Sequence, residues 1–373
     1  MASKARQLAQ SASAPEGRKN IVTNGAMNVA QRSISVAGIG ASAGYFTVDR
    51  FNINANGTSG RLAMTQTADG PSGFANCIQL DCTTADTDMD GNKFIILEQR
   101  FEGQDLQRFM KGTSDAKEYA VSFYVKGNAS ATYIAELFDT DNSRQASKTF
   151  SVTTSWTRVE LTFPADTTGA FDDDNAQSLN LHLFLVSGTT YTSGTLSQTW
   201  TSNSGNNANR AVGGGNFFSS TDNTFFITGV QLEVGSVATE FEHRSYAEEL
   251  ALCQRYYQKF EGTTSNYESI TVGYNQGTGN HVGVLYTNVP MRSTGIALET
   301  TGTASDYVIL HQATVQNLTS VPVLYAYASI PQNDEIINVT LTGTTGSGLT
   351  AQGGSILSFT NSAGKTLAIE DEL

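Results

Sequence analysis

Residues whose types and spacing could do chemistry are few in this chain. Gly40-Ala41-Ser42-Ala43-Gly44 has the G-x-S-x-G spacing of a nucleophile elbow, which needs a hydrophobic strand before the serine and a helix after it. The flanking stretches SISVAGI and YFTVDRF supply no helix, so the match reads as a small-residue turn. His182, His243, His281 and His311 lie in separate elements, without the i, i+4 spacing of a helical metal site. His182, set between Leu181 and Leu183, reads as pointing from a strand to solvent. Gly213-Gly214-Gly215 lacks the helix and lysine of a phosphate loop. Asp86-Thr87-Asp88-Met89-Asp90-Gly91 does reproduce the first six positions of a calcium loop, so Asp86, Asp88 and Asp90 are candidate ligands of a structural calcium ion, the other reading being a solvated acidic turn. The pattern departs at its twelfth position, where Leu97 stands in place of a bidentate glutamate and Glu98 follows one residue late. Asp172-Asp173-Asp174 reads as a solvated loop. No catalytic constellation emerges, and no cofactor other than that calcium is expected.

Binding chemistry is the alternative to catalysis. Sugars present an apolar ring face and a rim of hydroxyls, so a site for them pairs an aromatic platform with amides or carboxylates. Trp156 opens a strand, SWTRVELTF, and reads as core. Trp200 lies in TLSQTWTSNSGNNANR, within a polar Gly/Asn-rich stretch from about 194 to 224 long enough for a functional loop. It is the candidate ligand platform, the other possibility being that it folds back onto the protein.

Strands must position any such site. Residues 93–101, 119–126, 132–138, 157–163 and 179–186 are strand candidates, and the best of them alternate cleanly, for example Val121, Phe123 and Val125 against Ser122, Tyr124 and Lys126. In FFITGVQLEV, residues 227, 229, 231 and 233 oppose 228, 230, 232 and 234, the pattern of one buried face. Gly235 ends that strand. Ser245 and Glu248 form an S-x-x-E capping box, and Tyr246, Leu250, Cys253 and Tyr257 then recur at spacings of four, three and four, so a helix is expected over 244–260. Its stripe is a candidate oligomer or interdomain contact. Further strands are expected over 268–274, 281–286, 307–315, 321–329 and 338–343, with Pro290-Met291-Arg292 interrupting them. The expected architecture is all-β: an arm over 1–20, a jelly-roll sandwich over 21–243, the connecting helix, and a second antiparallel sandwich over 261–373.

Composition agrees with this and removes several functions. Of the 373 residues only 15% are charged, and Gly, Ser, Thr and Asn are abundant, which suits short strands and many turns. No apolar run is long enough for a membrane span, and the N-terminus lacks a secretory apolar segment, so synthesis in a cytoplasm without membrane insertion is expected. Cys77, Cys82 and Cys253 fit neither a disulfide framework nor a zinc site and read as small buried hydrophobes. Net charge is −13, yet Lys4, Arg6, Arg18 and Lys19 against Glu16 make residues 1–20 net +3, leaving −16 on the body. An acidic body without a basic stripe repels nucleic acid. The basic arm reads either as a frayed terminus or as a docking segment that folds against a partner.

The words NIVTNGAMNVAQRS, YFTVDRF, ITGVQLEVG, FEHRSYAEELALCQRYYQK and the closing LAIEDEL resemble virion structural proteins of tailed bacteriophages, among them tail fibres and tail appendages. SFYVKGN through SWTRVELTFPADTTG resembles jelly-roll modules of the galactose-binding type, and VPMRSTG also recurs in the phage family. The resemblance implies a non-enzymatic virion protein on the tail or particle surface. It would be attached through Lys4, Arg6, Arg18 and Lys19 to other virion proteins, assembled as a homotrimer, and in contact with host surface glycans. A capsid head fibre or decoration protein and a glycan hydrolase are the alternatives.

Overall fold

The computed structural model describes residues 18–262, 267–293, 295–325, 331–332, 335–360 and 364–373. The chain forms two compact units, one running to Glu249 and including Leu373, the other spanning Leu250–Glu372.

In the first unit the strands are β1 (Ser35–Ile39), β2 (Gly44–Tyr45), β3 (Asn52–Asn56), β4 (Arg61–Thr67), β5 (Cys77–Thr84), β6 (Phe94–Glu102), β7 (Tyr119–Gly127), β8 (Ala131–Asp139), β9 (Arg144–Val152), β10 (Thr157–Phe163), β11 (Gln177–Ser187), β12 (Thr201–Ser202) and β13 (Thr224–Val234). They make a six-stranded sheet, β1-β4-β5-β13-β7-β10, and a seven-stranded sheet, β12-β9-β8-β11-β6-β3-β2. Every pairing is antiparallel. This is the sandwich that the alternation implied, with the apolar faces of the two sheets packed on each other. Phe123 and Phe225 from the first sheet meet Phe150 and Tyr133 from the second in edge-to-face contacts, and all four are buried.

Strand β13 departs from simple alternation. Phe225 and Ile227 are core, but so are Val230 and Leu232. The register against β7 shifts between Thr228 and Gln231, where Gly229 takes φ 64°. This bulge inverts the faces half-way along the strand. Gln231 and Glu233 are consequently buried on the far side, where Gln231 donates to Glu233 at 2.8 Å and Glu233 accepts from the Thr239 N–H at 2.8 Å. Three of the recurring sequence words meet there. Asn20 both donates to the Val230 carbonyl and accepts from the Leu232 N–H, while Arg244 donates to the Val22 carbonyl and to Glu249, which accepts from the Asn24 N–H. These words are therefore scaffold.

The second unit contains β14 (Tyr257–Glu261), β15 (Ser269–Asn275), β16 (Asn280–Met291), β17 (Ala297–Thr300), β18 (Tyr307–His311), β19 (Thr314–Asn317), β20 (Val323–Leu324), β21 (Pro331–Gln332), β22 (Glu335–Thr344), β23 (Gly354–Phe359) and β24 (Thr366–Glu370). A large sheet, β19-β18-β23-β15-β16-β22-β20 with β21 beside β22, packs Ile309, Leu341 and Leu357 against Leu367 and Ile369 of a small sheet, β14-β24-β17. Two expectations fail locally. Residues 307–315 are a hairpin, turned at Gln312 and Ala313 with φ 47° and 61°, and Pro290-Met291 ends β16 past a bulge. Residues 326–329 of the strand expected over 321–329 lie outside the described residues.

The helix is also shorter than expected. Its capping box forms, with the Ser245 N–H donating to Glu248 at 2.9 Å and the Glu248 N–H to Ser245 Oγ at 3.3 Å. It ends at Gln254, and Tyr257 begins β14, paired with Glu370. The backbone bonds offered by β24, with the strand preference of Tyr257 and Phe260, outweigh the helical spacing. The proposed stripe does not exist as one face: Tyr246 is 59% exposed, whereas Cys253 and Tyr257 are buried. All three cysteines are buried thiols, as expected.

Candidate functional site on the seven-stranded sheet

Strand β11 reads S-L-N-L-H-L-F-L, and Leu179, Leu181 and Leu183 enter the core. Asn180, His182 and Phe184 must then face the other way. They do, but not into solvent: His182 is 4% exposed. Register explains its surroundings. Across the outer face of the sheet, Asn52, Glu98, His182, Glu136 and Ser147 form one cross-strand row, flanked by Arg100, Asn180 and Phe138 on one side and Asn54, Ile96, Phe184 and Ile134 on the other.

The row is a closed set of ion pairs. His182 Nδ1 lies 2.8 Å from Glu136 and Nε2 lies 3.1 Å from Glu98. Arg210 binds Glu136 through Nε at 2.8 Å and Nη2 at 2.6 Å, and Arg100 binds Glu98 at 2.6 Å. Burial alone would push the imidazole down, but the carboxylates on either side outweigh it and hold His182 above its ordinary value. Burial would likewise raise Glu98, yet bonds and charge from His182 and Arg100 draw it down to about 2. Glu136 is lowered against its burial by the charge of Arg210 and by bonds from Arg210 and His182.

Arg210 comes from the 194–224 stretch expected to be functional, and it lies 4.6 Å from the Phe138 ring centroid and 5.4 Å from that of Phe184. The stretch is tied down by backbone bonds, including Ala211 N–H to the Tyr191 carbonyl at 2.9 Å and Ser147 N–H to the Ser197 carbonyl at 2.6 Å. It covers part of the sheet and leaves a cavity of about 300 Å³. Half-buried Phe94, Phe138 and Tyr191 line it, with Asn54, Gln177 and Asn180 among them.

The other expected site residues fall elsewhere. Trp200 is 8% exposed, donates its indole N–H to the Pro164 carbonyl at 2.7 Å and packs on Tyr119, so it is core and not a platform. Beside it Lys111, wholly buried, pairs with Asp139 at 2.6 Å and Asp166 at 3.2 Å and donates to the Thr168 and Gly169 carbonyls. Trp156 is the half-buried tryptophan, lying outside the core against Phe226 with Lys126 Nζ 5.2 Å from its ring. The Asp86, Asp88 and Asp90 carboxylates do not converge. Asp86 accepts from Thr58, Ser59 and the Asp88 N–H, and Lys93 Nζ sits 2.6 Å from Asp88 and 3.6 Å from Asp86, an ammonium where a cation was expected. Among the described residues no cluster of three or more His, Cys, Asp or Glu side chains is placed to hold a metal ion. Lys4 and Arg6 lie outside the described residues. Lys19 is part of the fold, donating to Thr239 Oγ1 and the Glu240 carbonyl, both at 2.6 Å, and the Arg18 carbonyl accepts from Arg108.

No family model matches the chain. No curated protein matches its sequence. Among solved structures, a family 4 carbohydrate-binding module is similar at 12% identity and a TM-score of 0.28, over 57% of this chain and 99% of that one. A family 61 module in complex with β-1,4-galactotriose has 10% identity and a TM-score of 0.29, over 58% and 99%. The family 30 module of a Clostridium thermocellum cellulase has 11% identity and a TM-score of 0.29, over 60% and 98%. These likenesses are slight, and the fold rests on the strand order and register above.

Sequence reasoning placed His182 in solvent, read Glu98 only against the calcium loop, and missed Glu136 and Arg210. A signal was present: β6, β8 and β11 each place an ionisable residue in the middle of a long, otherwise apolar-rich strand. Such residues are costly unless they answer one another.

Proposed function

We propose that the cavity on the outer face of the seven-stranded sheet binds an uncharged glycan, without catalysis. The observation that carries this is the pairing of half-buried aromatic rings with amide side chains around about 300 Å³ of space, while every charged group beneath it is matched by another. Phe94, Phe138 and Tyr191 can stack on a sugar ring, and Asn54, Gln177 and Asn180 can bond its hydroxyls. Hydrolysis is disfavoured because a general acid needs a raised carboxyl, and Glu98 and Glu136 are both held low by their cationic partners. The resemblance in wording extends this reading to a phage virion appendage, one of three copies, that meets host surface glycans.

Calorimetric titration with neutral oligosaccharides tests the site. Tyr191→Ala and Phe138→Ala should each weaken binding about tenfold or more without a comparable loss of melting temperature. Release of reducing sugar from any ligand would replace binding by hydrolysis, and unaltered affinity in both variants would move the site elsewhere.

A further inference from the structure

The ion pair to Glu136 does not use the whole of Arg210. Nε and Nη2 form the two-pronged edge of the guanidinium, and both are taken by that carboxylate. The third nitrogen, Nη1, lies away from this edge and has no protein acceptor among the described residues, although it is not sealed from solvent. The other cations lining the cavity are fully committed. Arg100 gives Nε and Nη2 to Glu98 and Nη1 to the Leu373 carbonyl, and both nitrogens of His182 face carboxylates. Around the guanidinium stand rings, with the centroids of Phe138, Phe184 and Tyr191 at 4.6, 5.4 and 5.8 Å. An amide acceptor stands close by. Asn180 pairs with Phe138 across β11 and β8, and its Oδ1 accepts from Gln177 Nε2 at 2.8 Å, which fixes the Gln177 amide and leaves Gln177 Oε1 without a partner among the described residues.

On the reading that this cavity holds an uncharged glycan, we propose that it selects sugars carrying an acetamido group, whose carbonyl accepts from Arg210 Nη1. Each part of that group then has a counterpart. The carbonyl is the strongest neutral acceptor that such a sugar carries, and it meets the one cationic nitrogen left open. The methyl lies against the rings, and the acetamido N–H donates to Gln177 Oε1. Other groups fit less well. A hydroxyl in place of the carbonyl brings a proton that must itself be bonded, and the ring faces of Phe138, Phe184 and Tyr191 offer it no acceptor. A carboxylate is best met by the two-pronged edge, which Glu136 already fills. The chain's net charge of −13 disfavours an acidic polymer as well.

Calorimetric titration of the full chain with sugars that differ only in acetamido against hydroxyl tests this: oligomers of N-acetylglucosamine against those of glucose, and N-acetylgalactosamine against galactose. In at least one pair the acetamido member should bind about tenfold or more tighter. Arg210→Lys keeps a cation beside Glu136 but removes Nη1, so the ratio of the two affinities should fall to near one. A residue that only supported the fold would weaken both sugars and leave that ratio where it was. Gln177→Leu, at a half-buried position outside the charged row, should also lower the ratio with the melting temperature unchanged, which keeps the test open if the lysine variant does not fold. Equal affinities within both pairs overturn the proposal, and if that binding is lost in Tyr191→Ala the cavity still stands as the glycan site. A preference that both variants leave unaltered overturns it too. Absence of all binding overturns it together with the reading of the cavity.

Discussion

A single buried histidine shows how far local pattern reaches. His182 alternates with leucines, which correctly puts it on the side of β11 away from the core, but period 2 says nothing of what lies over that side. The Arg210 segment covers it, and the carboxylates that flank it come from β6 and β8, strands distant in sequence. Replacing Arg210 by Met would leave Glu136 buried with only His182 beside it and should cost about 3 kcal/mol or more, read as a lowered denaturation midpoint. Trp200→Ala is expected to cost roughly 3 to 5 kcal/mol and to leave glycan affinity of the folded protein unchanged, since the indole fills the core. Binding lost without loss of stability in that variant would restore Trp200 as a platform.

At the scale of elements, β6, β7, β8, β10, β11 and β13 were legible, whereas β1 to β5, β9 and β12 and the irregularities of the strands were not. Alternation located β7 and β10, while β6, β8 and β11, whose two faces are both covered, were placed to within a residue or two as runs rich in apolar residues. The bulge in β13 hid in the same pattern, since Gly229 is merely one more small residue until its positive φ is seen. A Cβ there would lie 2.7 Å from the Phe74 ring and 3.0 Å from Tyr124. Gly229→Ala should therefore destabilise the first unit by roughly 2 to 5 kcal/mol, through left-handed strain and crowding together, as measured by chemical denaturation. The β18–β19 hairpin escaped notice because Gln312 and Ala313 are not residues that announce a positive-φ turn. The helix end escaped because Tyr257 fits either period, and only the distant β24 decides between them.

Over the whole molecule, the two units should answer acid differently. In the first, raised His182 contributes stability that is complete below about pH 6.5 and fades as pH rises through its folded value, whereas Glu98 contributes above about 4.5 and fades toward 2. In the second, His281 is buried among uncharged partners, 2.9 Å from Thr271 and 2.7 Å from Ser355, and burial lowers it to about 4. Its contribution is complete above about 6.5 and is lost as pH falls from there toward 4. Calorimetry at pH 7.5 and pH 5 should show the transition of the second unit falling while that of the first holds or rises. His281→Asn should flatten the falling transition, and parallel shifts of both units would contradict the assignment.

Lys93 among the oxygens of Asp86 and Asp88, and Lys111 among those of Asp139, Asp166 and two carbonyls, have a practical meaning for where such a protein can operate. A sandwich whose acidic turns are held by a soluble ion loosens wherever chelators or competing polyanions strip that ion away. Here the positive charge is covalently part of the chain and cannot be washed out. Excess EDTA should leave the melting temperature where it was, in calcium-poor and calcium-rich surroundings alike.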